Sequence, residues 1–192
     1  MKNVFSYMFS SLPKKLIAAA LIAMAIIIPV STISAASVKL EGSIGVANVT
    51  AGDTKYSPSV NASYDQVVKF QVYYHNMENP DSGNVANNLR VKITMPTTAG
   101  TKQDVRTTIS ADNASNTVTG TATVNLNRAD AMIEYIPGSA VWRHNTGTND
   151  NVNYVETKIS DAVVTSGQGL VLENEKPCYN FAATVTVLAR VK

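Results

Sequence analysis

The chain has one cysteine and two histidines among its 192 residues, and these shortages argue against several kinds of site. Cys178 cannot form a disulfide within the chain, so the hydrophobic core must supply the stability. We expect Cys178 to be a small buried apolar residue, with a disulfide to another subunit or a reactive thiol as the alternatives. Zinc sites need several closely spaced Cys or His ligands, whereas His75 and His144 lie far apart. With only two histidines, which lie far apart in the sequence, a Cys–His nucleophile pair has little support.

Leucine is also scarce in the larger part of the chain. Residues 37–192 contain six Leu, against twenty-one Val, eighteen Thr and seventeen Asn. Valine and threonine have few χ1 rotamers and favour strands, while asparagine favours turns and loop ends. The composition therefore predicts a β protein.

The N-terminus predicts export. A flank containing three lysines precedes the thirteen apolar residues 16–28, and small residues follow up to Ala36. This order is typical of a secretory signal peptide, and we expect cleavage after Ala35 or Ala36. A membrane-spanning helix needs about twenty apolar residues, so an uncleaved anchor is the alternative. The sequence thus predicts a signal segment (1–36) and one domain (37–192) in a secreted or cell-surface protein.

The mature domain carries almost no net charge. The whole chain has sixteen Lys and Arg against fourteen Asp and Glu. Removal of residues 1–36 takes three lysines away, which leaves thirteen basic residues and a formal charge of −1. Nucleic-acid binding depends on clustered Lys and Arg, and here the charges are scattered singly. We therefore expect no nucleic-acid partner, and contact with a membrane only through an uncleaved N-terminal segment.

Alternation of apolar and polar residues is the dominant pattern after residue 37, and it indicates strands with one buried face. Turn clusters rich in Asn, Asp and Gly separate the alternating segments. Seven to ten such strands fit an all-β, antiparallel sandwich. The clearest strands are 67–74, 89–95, 118–124 and 181–191, and the weaker ones are 38–46, 105–109, 131–136, 140–143, 153–157 and 169–172.

Two segments resemble a known family. Residues 68–96 read VKFQVYYHNMENPDSGNVANNLRVKITMP: a strand ending in Tyr-x-Asn, a polar turn, then Asn and an alternating strand that closes at Pro. Residues 133–142 read IEYIPGSAVW, with a Tyr-x-Pro-Gly-Ser segment. Both resemble the bacterial surface domains called DUF11 or conserved-repeat domains. The resemblance implies an immunoglobulin-like β-sandwich that serves as a spacer or surface module in the cell envelope. Such domains often occur in tandem with a wall-attachment motif, and the sequence lacks Leu-Pro-x-Thr-Gly.

Signatures of chemistry are weak. The sequence has no Gly-x-Ser-x-Gly elbow, and we expect Glu173 and Glu175 to lie in a solvated loop before Pro177. His75, at a strand end, is expected to be exposed or to cap a turn. We expect no cofactor, although the Asp/Asn-rich loops 79–84 and 149–151 contain the oxygen ligands of a structural calcium site.

Trp142, Arg143 and Tyr135 are the candidate contact residues, since aromatic residues and arginine are enriched at binding hot spots. The alternative for Trp142 is a place in the core, as in immunoglobulin domains. The expected function is a non-catalytic structural or adhesive module that self-assembles through edge strands. Its expected partners are other surface proteins, further copies of itself, or cell-wall or host glycans. A carbohydrate-binding module using Trp142 and a secreted hydrolase are the alternatives.

Overall fold

The structure, a computed structural model, describes residues 36–192. The predicted signal segment (1–36), expected to be helical, lies outside the described residues except for Ala36. The described part contains eleven strands, the one-turn helix α1 (Ala162–Thr165) and two 3₁₀ turns, Pro80–Ser82 and Tyr179–Phe181. The strands are β1 (Leu40–Asn48), β2 (Ser59–Ala62), β3 (Val67–Asn76), β4 (Ala86–Thr94), β5 (Lys102–Ser110), β6 (Val118–Leu126), β7 (Ile133–Tyr135), β8 (Val141–Asn145), β9 (Tyr154–Lys158), β10 (Leu170–Glu175) and β11 (Ala183–Val191).

The strands form two sheets. The first sheet has the order β1-β3-β11-β8-β9, and β7 pairs with β11 beside β8. The second sheet has the order β10-β4-β5-β6-β2. The pairings are antiparallel except that of β2 with β6, which is parallel. The predicted all-β sandwich is confirmed. The strand count exceeds the expected seven to ten because the short strand β2 was not predicted.

Alternation along the strands builds the core between the sheets. Val68, Phe70, Val72 and Tyr74 of β3 are fully buried, while the residues between them turn outward. Strands β4, β5 and β11 contribute further buried Val, Ile, Leu and Ala side chains in the same way. Complete burial of a Val, Leu, Ile or Phe side chain stabilises a fold by about 1.5–3 kcal/mol. The many buried side chains in one cluster therefore account for stability without a disulfide.

Two glycines let the sheets meet at the β1 side. A Cβ at Gly42 would lie 2.5 Å from Ile109 Cδ1 and 2.6 Å from the carbonyl oxygen of Tyr73. A Cβ at Gly120 of β6 would lie 3.1 Å from Ile44 Cγ2. Both positions lack room for a larger residue, so β1 packs closely onto the second sheet. This side of the sandwich is closed.

The opposite side is open. Strand β9 pairs with β8 alone, and β10 pairs with β4 alone, so each presents a free backbone edge. The C-terminal half of β9 carries the exposed charged residues Glu156 and Lys158. Charges on an edge strand discourage uncontrolled pairing with other chains. Among residues 36–192, no helix is both long and apolar enough to cross a membrane.

Candidate functional site

Trp142 and Arg143 are neighbours on β8, so their side chains point to opposite faces of the first sheet. Trp142 is half-buried against the core, and its indole N–H donates to the hydroxyl of Tyr74 at 2.8 Å. Its ring stacks on His144, with centroids 3.4 Å apart. Arg143 lies on the outer face, where its guanidinium sits 3.9 Å from the centre of the Tyr154 ring. The two residues therefore do not share one surface.

Tyr135, the third predicted contact residue, lies on β7. It pairs with Ala189, whereas Trp142 pairs with Val185 further along β11. The Tyr135 hydroxyl donates to the carboxylate of Asp161, next to α1. The pKa of Tyr135 is raised to about 12, mainly by burial and to a smaller extent by this hydrogen bond. The side chain thus ties β7 to the start of α1.

Buried polar residues gather at one end of the sandwich. His75 and Asn76 end β3, Asn145 ends β8 and Glu175 ends β10, and all four are at most 8% exposed. We call this region the polar end. Buried polar groups are costly unless they are hydrogen-bonded, so each of the four needs a structural or functional reason.

Asn145 has a structural reason. Its amide oxygen accepts from the backbone N–H groups of Gly147 and Asn153, both at 2.8 Å. Its amide nitrogen donates to the carbonyls of Thr148 and Asn180 at 3.3 and 2.9 Å. The side chain therefore holds the β8–β9 loop in shape and joins it to the chain before β11.

Asn76 acts in the same way. It donates to the carbonyls of Asn84 and Glu175 at 2.8 and 3.2 Å, and it accepts from the N–H of Glu78 at 3.1 Å. These bonds join the end of β3 to its following turn and to β10. Asparagine favours turns because its side chain can bond neighbouring backbone groups in this way.

Glu175 has no such partners. It is 1% exposed, and neither oxygen of its carboxylate accepts a hydrogen bond from an N–H or hydroxyl donor. Burial raises the pKa of Glu175 far above its usual range, and the neighbouring Glu173 raises it further, first through a hydrogen bond between the two carboxyl groups and then through its charge. The expectation of a solvated loop was wrong: both residues belong to β10, because the strand runs on to residue 175 through irregular pairing with β4.

Glu173 and His144 lie beside Glu175. A Glu173 oxygen is 3.8 Å from Nδ1 of His144, and both side chains are partly exposed. A cavity of about 220 Å³ opens here, lined by Glu173, Glu175, His144 and Asn145 among others. The two carboxylates also help to raise the pKa of Tyr74, after the larger effect of burial.

His75 is buried on the outer side of the polar end. The expectation that it is exposed or caps a turn was wrong, since only 1% of its surface is accessible. Tyr179, from a distant part of the chain, stacks on its ring with centroids 4.3 Å apart. Its Nδ1 lies 3.2 Å from the Tyr73 hydroxyl, and its Nε2 lies 3.6 Å from an oxygen of Glu41. Burial lowers the pKa of His75, and Glu41 partly opposes this effect.

Cys178 and His75 line a second cavity, of about 350 Å³, together with Tyr179. Cys178 is free and half-buried, whereas the sequence predicts a buried residue. Its thiol donates to the side-chain oxygen of Asn149 at 3.2 Å. The backbone φ of Cys178 is +98°, an unusual value for a residue other than glycine. The thiol thus points to a polar loop rather than to the histidine.

Each of the two loops predicted to hold calcium uses one side-chain oxygen for a bond within the protein. Asn79 Oδ1 accepts from the N–H of Asp81 at 2.9 Å and so caps the turn 80–82. The side-chain oxygen of Asn149 accepts from Asn180 at 2.9 Å and from Cys178. Within residues 36–192, no three His, Cys, Asp or Glu side chains are grouped as metal ligands.

No family model, curated protein or solved structure matches this chain. The geometry of the polar end and of the sheet surfaces is therefore the basis for any functional argument.

Proposed function

We propose that the chain is an exported structural and interaction module that works at the cell surface or outside the cell. The signal segment, the all-β sandwich and the surface-domain resemblance of residues 68–96 support this proposal. The main support is the way in which side-chain amides close the ends of the sandwich. Five asparagines each bond at least two backbone groups: Asn48, Asn76, Asn113, Asn116 and Asn145.

This hydrogen bonding suits a protein that has to resist unfolding and proteolysis outside the cell without an internal disulfide. Local opening of loops exposes a chain to proteolysis. Asn113 bonds the backbone of Ala36, Val85 and Asn87, so its side chain connects its own loop to the chain before β1 and to the start of β4. Asn116 bonds both backbone groups of Leu40 at 2.9 Å, which holds the start of β1. Loops held in this way resist opening without the disulfides common in exported proteins.

The outer face of the first sheet offers the module a contact surface. Tyr179 is 65% exposed and is supported from behind by His75. Tyr154 lies under the guanidinium of Arg143 on the same face. Tyrosine and arginine are enriched at binding hot spots. We propose that this face, with the free edge of β9, contacts other surface proteins, further copies of the chain, or glycans.

A carbohydrate-binding module built on Trp142 is less well supported. The indole N–H is already bonded to Tyr74, and one ring face is covered by His144. A sugar that stacks on this ring needs an open face. Tyr179, which is 65% exposed, is better placed to meet a glycan.

Fractionation of the producing cells, with intact mass of the protein, tests the proposal. The expected result is a protein in the envelope or in large assemblies, cut after Ala35 or Ala36. A free monomer in the medium contradicts the surface-building role and favours a soluble binding protein or enzyme. An uncut chain in the membrane fraction shows instead that residues 1–36 serve as an anchor.

A further inference from the structure

The carboxylate of Glu175 is not explained by the packing around it. Buried carboxylates are ordinarily hydrogen-bonded, paired with a cation or bound to a metal ion. Glu175 is 1% exposed, and neither of its carboxylate oxygens accepts a hydrogen bond from an N–H or hydroxyl donor. Its polar neighbour is the carboxyl group of Glu173, a contact that, after burial, raises the pKa of Glu175. The ammonium of the adjacent Lys176 lies 5.0 Å from the centre of the Phe181 ring, and no ion pair within residues 36–192 joins it to Glu175.

The surroundings of Glu175 supply further oxygen ligands. Glu173 and Glu175 line the same cavity of about 220 Å³, together with Asn174 and Thr146. The amide oxygen of Asn174 accepts one hydrogen bond, from the N–H of Asn88 at 2.8 Å, and keeps a second lone pair. The cavity is therefore lined by two carboxyl groups and by neutral oxygens, and His144, Lys176 and Phe181 complete its wall.

We propose that Glu173 and Glu175 bind a divalent cation of the calcium type in this cavity. Calcium takes six to eight oxygen ligands from carboxylates, amide or backbone carbonyls and water. Two carboxylates balance its charge once the cation displaces the proton that burial favours on Glu175, and the neutral oxygens and water complete the set. Zinc and its relatives prefer several His or Cys ligands, and His144 alone offers one here. The proposed ligands differ from the residues of loops 79–84 and 149–151, where the sequence predicts calcium, although the cavity borders the β8–β9 loop through Thr146 and Gly147.

Binding at this place links separate strands. Glu173 and Glu175 are on β10, the free edge of the second sheet, and the facing wall of the cavity is the end of β8 in the first sheet. A cation between them therefore holds the open side of the sandwich together. Extracellular calcium modules bind calcium with a Kd of about 10⁻⁴–10⁻³ M. We expect the same range here because the protein is proposed to work outside the cell, whereas the site itself does not depend on that proposal.

Thermal unfolding of the protein in chelator, then with Ca²⁺ or Mg²⁺ alone, tests the proposal. Ca²⁺ is expected to raise Tm in a saturable way, because a ligand that binds only the folded state stabilises it. Mg²⁺ is expected to act more weakly, since it demands a small octahedral site. The variants Glu175→Gln and Glu173→Gln are each expected to weaken Ca²⁺ binding, measured by calorimetry, by about tenfold or more.

The double variant Asp81→Asn, Asp150→Asn is the matched control. It removes the acids of the two loops predicted from the sequence and should leave the Ca²⁺ response unchanged. Loss of the response in this control, with normal binding in Glu175→Gln, overturns the proposal in favour of a loop site. The absence of any saturable shift up to about 10 mM Ca²⁺, well above the range of extracellular sites, also overturns it.

Terbium luminescence gives a readout that does not depend on stability. Trp142 is the single tryptophan of the chain and stacks on His144 at the cavity. Excitation of this residue should sensitise Tb³⁺ bound at the site, and excess Ca²⁺ should remove the emission. Glu173→Gln, whose native side chain is 30% exposed, tests the site even if Glu175→Gln fails to fold. Unchanged emission in Glu173→Gln contradicts the proposal.

Discussion

His75 shows how a single buried ring can make stability depend on pH. Burial lowers its pKa in the folded protein, so the unfolded chain binds a proton more readily than the native state. Stability therefore falls as pH decreases from the ordinary histidine pKa, about 6.5, towards the lower folded value. Above that range both states are neutral and the ring carries no penalty. Glu41, which faces Nε2, reduces the effect without reversing its sign.

We predict that His75→Gln flattens part of this dependence. The free energy of unfolding of the native chain, measured by urea denaturation between pH 5 and 8, should decrease on the acid side relative to that of the variant. The free energy of unfolding of one protein is subtracted from that of the other at each pH, because Glu175 contributes equally to the pH dependence of both. Parallel pH curves for the two proteins contradict the assignment of a depressed pKa to His75.

His75 and Glu175 also show what sequence patterns cannot reveal about single residues. Alternation marks both as polar positions at strand ends, which are ordinarily exposed. His75 is buried because Tyr179, about a hundred residues later, covers it. Glu175 is buried because β10 continues to residue 175, where it pairs with Ala86 of β4. Each burial results from a contact between distant segments, so the local sequence carries no sign of it.

Asn145 is a single residue that determines the structure of the loop between β8 and β9. Its side chain satisfies four backbone groups, and three of them belong to the loop 146–153. Buried backbone groups that lose their partner cost about 1–3 kcal/mol. The rigidity of this loop thus depends on one amide. Asn151, in the same loop, is exposed and contributes its backbone N–H to Thr148 rather than its side chain.

We predict that Asn145→Ala lowers the free energy of unfolding by about 2 kcal/mol and makes the loop 146–153 sensitive to proteases. Asn151→Ala, the matched control, should change stability by less than about 0.5 kcal/mol. Urea unfolding and limited proteolysis with mapped cleavage sites provide the measurements. Equal effects of the two substitutions would show that the asparagine bonds do not hold the loop.

At the element scale the period-2 pattern located most of the fold. The four clearest segments, around 67–74, 89–95, 118–124 and 181–191, coincide with β3, β4, β6 and β11, which have long alternating buried faces. Strand β2 was missed because its four residues contain one fully buried side chain, too few to form a pattern. The pairing of strands, including the parallel β2–β6 pair, depends on contacts that periodicity does not encode.

At the scale of the whole molecule, the two sheets share one core. The buried cluster includes β1, β3 and β11 from the first sheet and β4, β5 and β6 from the second. Neither sheet can bury its apolar face without the other. With one cysteine, the chain has no internal disulfide that could keep part of the fold together when the core opens. Cooperative loss of both sheets is the physical consequence.

We therefore predict a single unfolding transition for residues 37–192, unaffected by reductant. Far-ultraviolet circular dichroism follows the strands of both sheets, whereas fluorescence of Trp142 reports β8 in the first sheet. The two signals should give the same urea midpoint, with and without a thiol reductant. Fluorescence that changes before the dichroism would show that the β8 region opens separately. A midpoint lowered by reductant would instead reveal a stabilising disulfide through Cys178 to another subunit, and it should then depend on protein concentration.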